Sequence, residues 1–354
     1  MGRVLECRGS GRRKSGLRAS ARRKTARPAP ARQGIFGAGL LLTLLLPACS
    51  PPERTLTTEC IAPAAAGGGW DLTCRLVGNI LGQLDLAEGV VRTTNMPGAG
   101  GGVAFAHTVA QRQGDARLLV AASPATTLRL AQGQYGPLSG TDVRWVGGLG
   151  AEYGIVAVAA DAPWQTLREL LDAWQAGPRS IVVSGGSTVA GQDHMKILLL
   201  GREAGIDPRE IRYVPFDGGG EAVTALLGGF VQVFSGEASE VEAHLEAGSL
   251  RVLGVLAPER VAGLLGDVPT AIESGYDVTW ITWRGFYVPG GVSDAEYDGW
   301  VARLDSIAGS PDWVVARERA RLRPWVRTGA DFEAFVHTQI AEFESMAREI
   351  GLIR

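Results

Sequence analysis

Cysteine is scarce in this chain, with four in 354 residues, and their spacing offers no zinc module. No G-x-S-x-G, H-E-x-x-H or G-x-x-x-x-G-K-[ST] motif occurs. Hydrolase, zinc-peptidase and P-loop chemistry therefore lack a starting point. The uncharged apolar run at 35–48 has fourteen residues, too few for a bilayer core that takes about 20. No repeat of fixed period and no low-complexity tract follows it.

The N-terminal region does have a pattern. Eleven Lys/Arg and a single acid, Glu6, fill the first 34 residues, and the apolar run then ends at Leu46-Pro47-Ala48-Cys49. This reads as an export signal over 1–48 with lipidation at Cys49, followed by a tether over 49–55. Without residues 1–48, Lys/Arg fall from 35 to 24 and Asp/Glu from 37 to 36, which moves the formal charge from −2 to −12. Such an acidic chain is not a nucleic-acid binder, since that function rests on phosphate neutralisation. Cys7 leaves with the leader. Cys60 and Cys74 either form a bridge, which export permits, or stand as two buried thiols.

Glycine is abundant, 49 residues, about twice the usual ~7%. Four clusters, GGGWD at 67–71, PGAGGG at 97–102, SGGSTVAG at 184–191 and DGGGE at 217–221, each fall between a strand-like and a helix-like run. A glycine turn leading into a helix is a potential anion cradle, with unpaired N–H groups at the positive end of the helix dipole. Around these turns the text alternates in βα fashion: strands near 56–63, 89–95 and 117–122, helices near 70–84 and 102–112. The rhythm resumes with strands near 180–183, 211–214, 231–234 and 250–256 and helices near 167–175, 191–204, 221–227 and 237–247. Parallel sheets covered by helices follow. Strands near 154–160 and 278–288 are the expected crossings between two domains, and helices near 293–308, 311–320 and 331–349 return to the first.

The chain resembles the substrate-binding proteins of tripartite tricarboxylate transporters, the Bug/TctC-type periplasmic receptors. The resemblance rests on APAAAGGGWDLTCR at 62–75, NMPGAGGGVA at 95–104, GGSTVAGQDH at 185–194 and VPFDGGGEAVTALLGG at 214–229. AGSLRVLGV at 247–255, DVPTAIESGYDV at 267–278 and WRGFYVPGGVS at 283–293 extend it. It implies an α/β, two-lobed periplasmic-binding-protein (Venus flytrap, type II) fold hinged on two crossing strands. Lobe 1 is expected over 56–154 and 282–354, lobe 2 over 155–281. The implied function is capture of a citrate-like di- or tricarboxylate, free or as a metal complex, by a monomeric lipoprotein outside the cytoplasm, and delivery to membrane permease subunits. No enzyme activity, resident metal or cofactor is expected. The alternatives are an orphan receptor feeding a sensor protein and a nucleotide-binding enzyme using PGAGGG. The latter lacks an acidic residue at the end of the following strand.

Candidate ligand contacts in lobe 1 are Gly67, Gly68 and Gly69, with Trp70 as a cleft wall or a packing residue, Gly100, and Thr126 as donor or helix cap. Asp71 reads as a structural cap. In lobe 2 they are Gly186, Ser187, Thr188, His194, Phe216, Gly219 and Ser235. The glycine turns contain no Lys or Arg, so neutral donors dominate, and Arg284 is the one cation poised to clamp a carboxylate or to make an internal ion pair.

Overall fold

A computed structural model describes residues 57–87 and 89–353. The expected signal peptide, Cys49 and the tether lie outside the described residues. The described residues begin with β1 (Glu59–Ala62), α1 (Gly69–Gln83), β2 (Arg92–Asn95), α2 (Gly102–Gln111), β3 (Leu118–Ala122) and α3 (Pro124–Ala131). β1 pairs in parallel with β2 and β3, as the βα rhythm requires. Alternation along β1 sends Cys60 and Ala62 to one core and Ile61 to the other.

β4 (Val143–Ala159) is shared by two sheets. Its first part pairs with β9 (Ile281–Pro289) and with β10 (Arg327–Thr328). From Gly154 onward it pairs instead with β7 (Val233–Glu237) and β8 (Leu250–Leu256). This division of one strand makes two lobes. The second crossing is fastened at Trp280, whose carbonyl accepts from the Gly154 amide and whose amide donates to Leu256.

β4 is far longer than the expected strand at 154–160, because Gly147, Gly148 and Gly150 suppress the strand signal in its first half. The glycines serve a close approach: a Cβ at position 148 would lie 2.5 Å from the Trp325 ring, which crosses directly over the strand. The sequence around β10 is thereby packed on the floor of lobe 1.

Lobe 2 continues with α4 (Leu167–Ala176), β5 (Val182–Gly185), α5 (Gln192–Glu203), β6 (Arg212–Pro215) and α6 (Gly219–Leu227), and β5 lies in parallel between β6 and β7. Leu167, Leu170, Leu171 and Trp174 are buried at helical spacing on α4. The helix expected over 237–247 is instead the end of β7, a turn of 3₁₀ helix at Ala238–Glu240 and a short α7 (Glu242–Glu246). Glu237 stays extended because its carboxylate is drawn inward, where it accepts from Lys196 and Thr282. α8 (Asp294–Ala308), α9 (Pro311–Arg319) and α10 (Gly329–Glu349) complete the chain. Among the described residues no helix is long and apolar enough to cross a membrane.

α3 lies in a stretch whose sequence suggests a hydroxyl-bearing loop. Ser123 caps it, Pro124 occupies its first turn and Thr126 completes a capping box. Cys60 and Cys74 form a disulfide, tying β1 to α1. The two cysteines are 14 positions apart in sequence, so reduction or the double Cys→Ser variant should lower stability by about 3 kcal/mol. Urea melts with and without reductant measure this, and coincident midpoints would refute it.

Candidate functional site

α1 opens on Gly68, which has no side chain to cap the helix. The Gly67 amide donates to Asp71 Oδ2 at 2.8 Å and the Gly68 amide to the Ala65 carbonyl at 3.1 Å. Asp71 also accepts from Arg75 at 2.9 Å and Asn95 at 2.9 Å. The hydrogen bond from Arg75, then that from Gly67, holds its carboxyl well below the usual range. The helix ladder begins with the Leu72 amide on Gly68, so the amides of Gly69, Trp70 and Asp71 precede it. Trp70 bridges inward, its indole N–H donating to Ser123 Oγ at 3.1 Å. Thr126 is buried, and its hydroxyl lies 3.5 Å from the Ser123 amide it caps. Gly100 adopts a left-handed conformation and its carbonyl accepts from the Tyr135 hydroxyl at 2.7 Å.

In lobe 2 the turn at Gly186 abuts the backbone of Gly218 and Gly219, leaving no room for a Cβ. Ser187 Oγ accepts from the Asp193 amide at 3.0 Å, and Ser235 Oγ, fully buried, donates to the Asp193 carbonyl at 2.9 Å. His194 Nδ1 accepts from the Ala190 amide at 3.0 Å while its ring stacks on Tyr213. Burial pushes its pKa down to about 4, so it is neutral at pH 7. Phe216 is partly buried against the lobe-2 core, and its amide donates to Gly185. Gly219 faces the carboxylate of Glu240. Thr188 Oγ1 accepts from Arg129 of α3 at 2.5 Å, and Gln132, just past the end of α3, donates to the Ala190 carbonyl at 2.8 Å. These two bonds link the lobes.

A second link lies across a cavity of about 530 Å³. Gly69, Leu72 and Thr73 of α1 line it together with Glu152 of β4, Arg284 of β9 and Ser239 of lobe 2. Arg284 Nη2 donates to Glu152 Oε1 at 2.7 Å, and the other Glu152 oxygen accepts from the Ser239 hydroxyl. A Cβ at position 69 would lie 3.2 Å from Arg284 Nη1, so the guanidinium stands against the first residue of α1. A cation beside a helix N-terminus is electrostatically unfavourable unless an anion joins them. Glu152 supplies part of that charge.

Of the sequence-derived candidates, Gly69 and Arg284 meet at this cavity. The hydroxyls of Thr126, Ser187 and Ser235 and the His194 ring are engaged within their own lobes. Glu152, Ser239 and Glu240 are not among the residues that the sequence points to. Glu152 sits in the glycine-weakened half of β4, and the Ser239–Glu240 turn has the local pattern of a helix.

A curled sheet shared by two lobes, with the start of α1 and an arginine meeting at a cavity between them, is the architecture of a two-lobed solute-binding protein. Residues 78–352 match the Tripartite tricarboxylate transporter family receptor, TctC, and the chain belongs to that family. It is 25% identical over 324 residues to the protein BugT of Bordetella pertussis, covering 90% of this chain and 96% of the relative. Its fold is similar to MatC from Rhodopseudomonas palustris with bound malate, at 21% identity and TM-score 0.66, covering 82% of this chain and 98% of that one. It is also similar to R. palustris Rpa4515 with adipate, at 20% identity and TM-score 0.69, with 83% and 97% covered.

Proposed function

We propose that this protein is an exported, lipid-anchored receptor that holds a small di- or tricarboxylate between its lobes and delivers it to the membrane subunits of a tripartite tricarboxylate transporter. The observation that carries this reading is the convergence of the Arg284 guanidinium and the start of α1 on one cavity, a pair of positive features that a carboxylate satisfies. The malate and adipate bound by the two R. palustris proteins support the chemical class. Closure follows from contacts to both lobes, with β4 and the segment entering β9 as the hinge.

A thermal-shift panel of malate, succinate, adipate, citrate with and without magnesium, and acidic amino acids tests the proposal. A ligand at 100 times its Kd adds about 2.7 kcal/mol, a rise in Tm of about 5 °C for a chain of this size. A panel in which no carboxylate moves Tm would end the reading.

A further inference from the structure

The cavity at Gly69 and Arg284 extends well beyond them. Its volume of about 530 Å³ lies in the range of roughly 300–1,000 Å³ that suits drug-sized ligands, and malate would leave most of it empty. Leu72 and Leu76, one turn apart on α1, form one wall, and Ala320 and Leu322, which follow α9, form the other. Leu72 is 58% exposed, an apolar side chain turned to the cavity and not to the core. The polar groups between these walls are already committed. The Thr73 hydroxyl donates to the Gly69 carbonyl at 2.7 Å, Ser239 donates to Glu152, and Arg75 is held by Asp71.

A second cation stands at the other end. Arg319, in the last turn of α9, lines this cavity and also the groove that continues between α1 and α9. Leu76, Asn79 and Ala320 are common to both as well, which puts Arg319 at the mouth of the cavity away from Gly69. Among the described residues its guanidinium has neither a hydrogen bond nor an ion pair. From Gly69 to Leu76 and Asn79 the helix climbs about 10–15 Å. The cavity thus has two positive ends that far apart and an apolar middle.

We infer that α9 supplies a second subsite: Arg319 takes the far carboxylate of an extended organic acid whose first carboxylate sits at Arg284 and the start of α1. The body of that acid lies against Leu72, Leu76, Ala320 and Leu322. The inference rests on the carboxylate reading above and narrows it from small acids in general to long diacids with an unhydroxylated middle. A hydroxyl in that middle would lose its water without gaining a partner. Each methylene buried there strengthens binding by up to about fourfold, whereas a short diacid held at Arg284 cannot reach Arg319.

Calorimetric titration of the mature protein with malate, succinate, suberate and octanoate tests this. Suberate should bind about tenfold or more tighter than succinate and malate. Arg319→Gln should weaken suberate by about tenfold and octanoate, which has no second charge, far less. Arg319 is exposed, so the variant should fold as wild type does. Leu72→Asn, also at an exposed position, should weaken suberate and octanoate more than succinate. Malate or succinate binding as tightly as suberate, or an R319Q that spares suberate or weakens it no more than octanoate, overturns the inference and leaves the carboxylate reading intact. If none of the acids binds, the carboxylate reading falls and this inference with it.

Discussion

Replacing Lys196 by methionine should cost about 3–5 kcal/mol of folding stability, the largest loss expected from one substitution in lobe 2. The side chain is fully buried, and its three donors go to Asp193 Oδ1 at 2.9 Å, Glu237 Oε1 at 2.6 Å and the Gly236 carbonyl at 3.2 Å. Its stem packs beneath the crossing strand, where a Cβ at Gly154 would lie 3.0 Å from the Lys196 Cδ. Methionine fills that volume but leaves two buried carboxylates without a counter-charge. Burial pulls the Lys196 pKa down, and the two acids outweigh it and raise it. Asp193 is raised by burial, which Lys196 offsets only in part.

The sign with pH follows. An acid whose folded pKa is raised binds more protons in the native state, so stability falls as pH rises from the usual carboxylate range through the folded value. Removing Lys196 deepens that fall. The deficit of K196M should therefore be larger at pH 8 than at pH 5, and adding Asp193→Asn and Glu237→Gln should recover most of it. Urea unfolding at the two pH values measures both. A K196M deficit that is independent of pH and not rescued would mean that lost packing, rather than unpaired charge, is the cause.

The same lysine marks how far the fold can be read from the sequence. The βα alternation, the return of the C-terminal helices and the division of the chain between two strands are legible because each is local: apolar runs, glycine turns and caps lie within a few residues. The glycine turns themselves are legible, but not all that fills them. Asp71 is visible as the partner of its own turn, one helical turn from Gly67. Glu240 is far along the chain from Gly219 and reaches it only through the sheet order that places β7 beside β5. A helix N-terminus attracts any carboxylate, so which cradles stay free for a ligand is decided by tertiary contacts. The first half of β4 is hidden for a related reason. Its glycines weaken every local strand preference, and what makes them necessary is the approach of Trp325 from the far end of the chain. Arg284 is recognisable as a cation in a returning strand, whereas its partner Glu152 lies in that hidden half.

Arg284→Met should weaken binding of any carboxylate that raises Tm in wild type by about 2–5 kcal/mol, a loss of roughly thirtyfold or more. The guanidinium is held by Glu152 at 2.7 Å and faces the first residue of α1, so its remaining donors are preorganised for a second carboxylate. Arg284→Lys should restore only part of the affinity, because an ammonium keeps the charge and loses the planar fork. The single methionine variant also strands Glu152, a buried acid, and would be destabilised for that reason alone. Pairing it with Glu152→Gln separates the two roles. R284M/E152Q should regain stability in urea melts while its carboxylate affinity stays low. If the double variant binds as wild type does, Arg284 serves only to neutralise Glu152. The carboxylate would then have to be held by the amides of α1 alone.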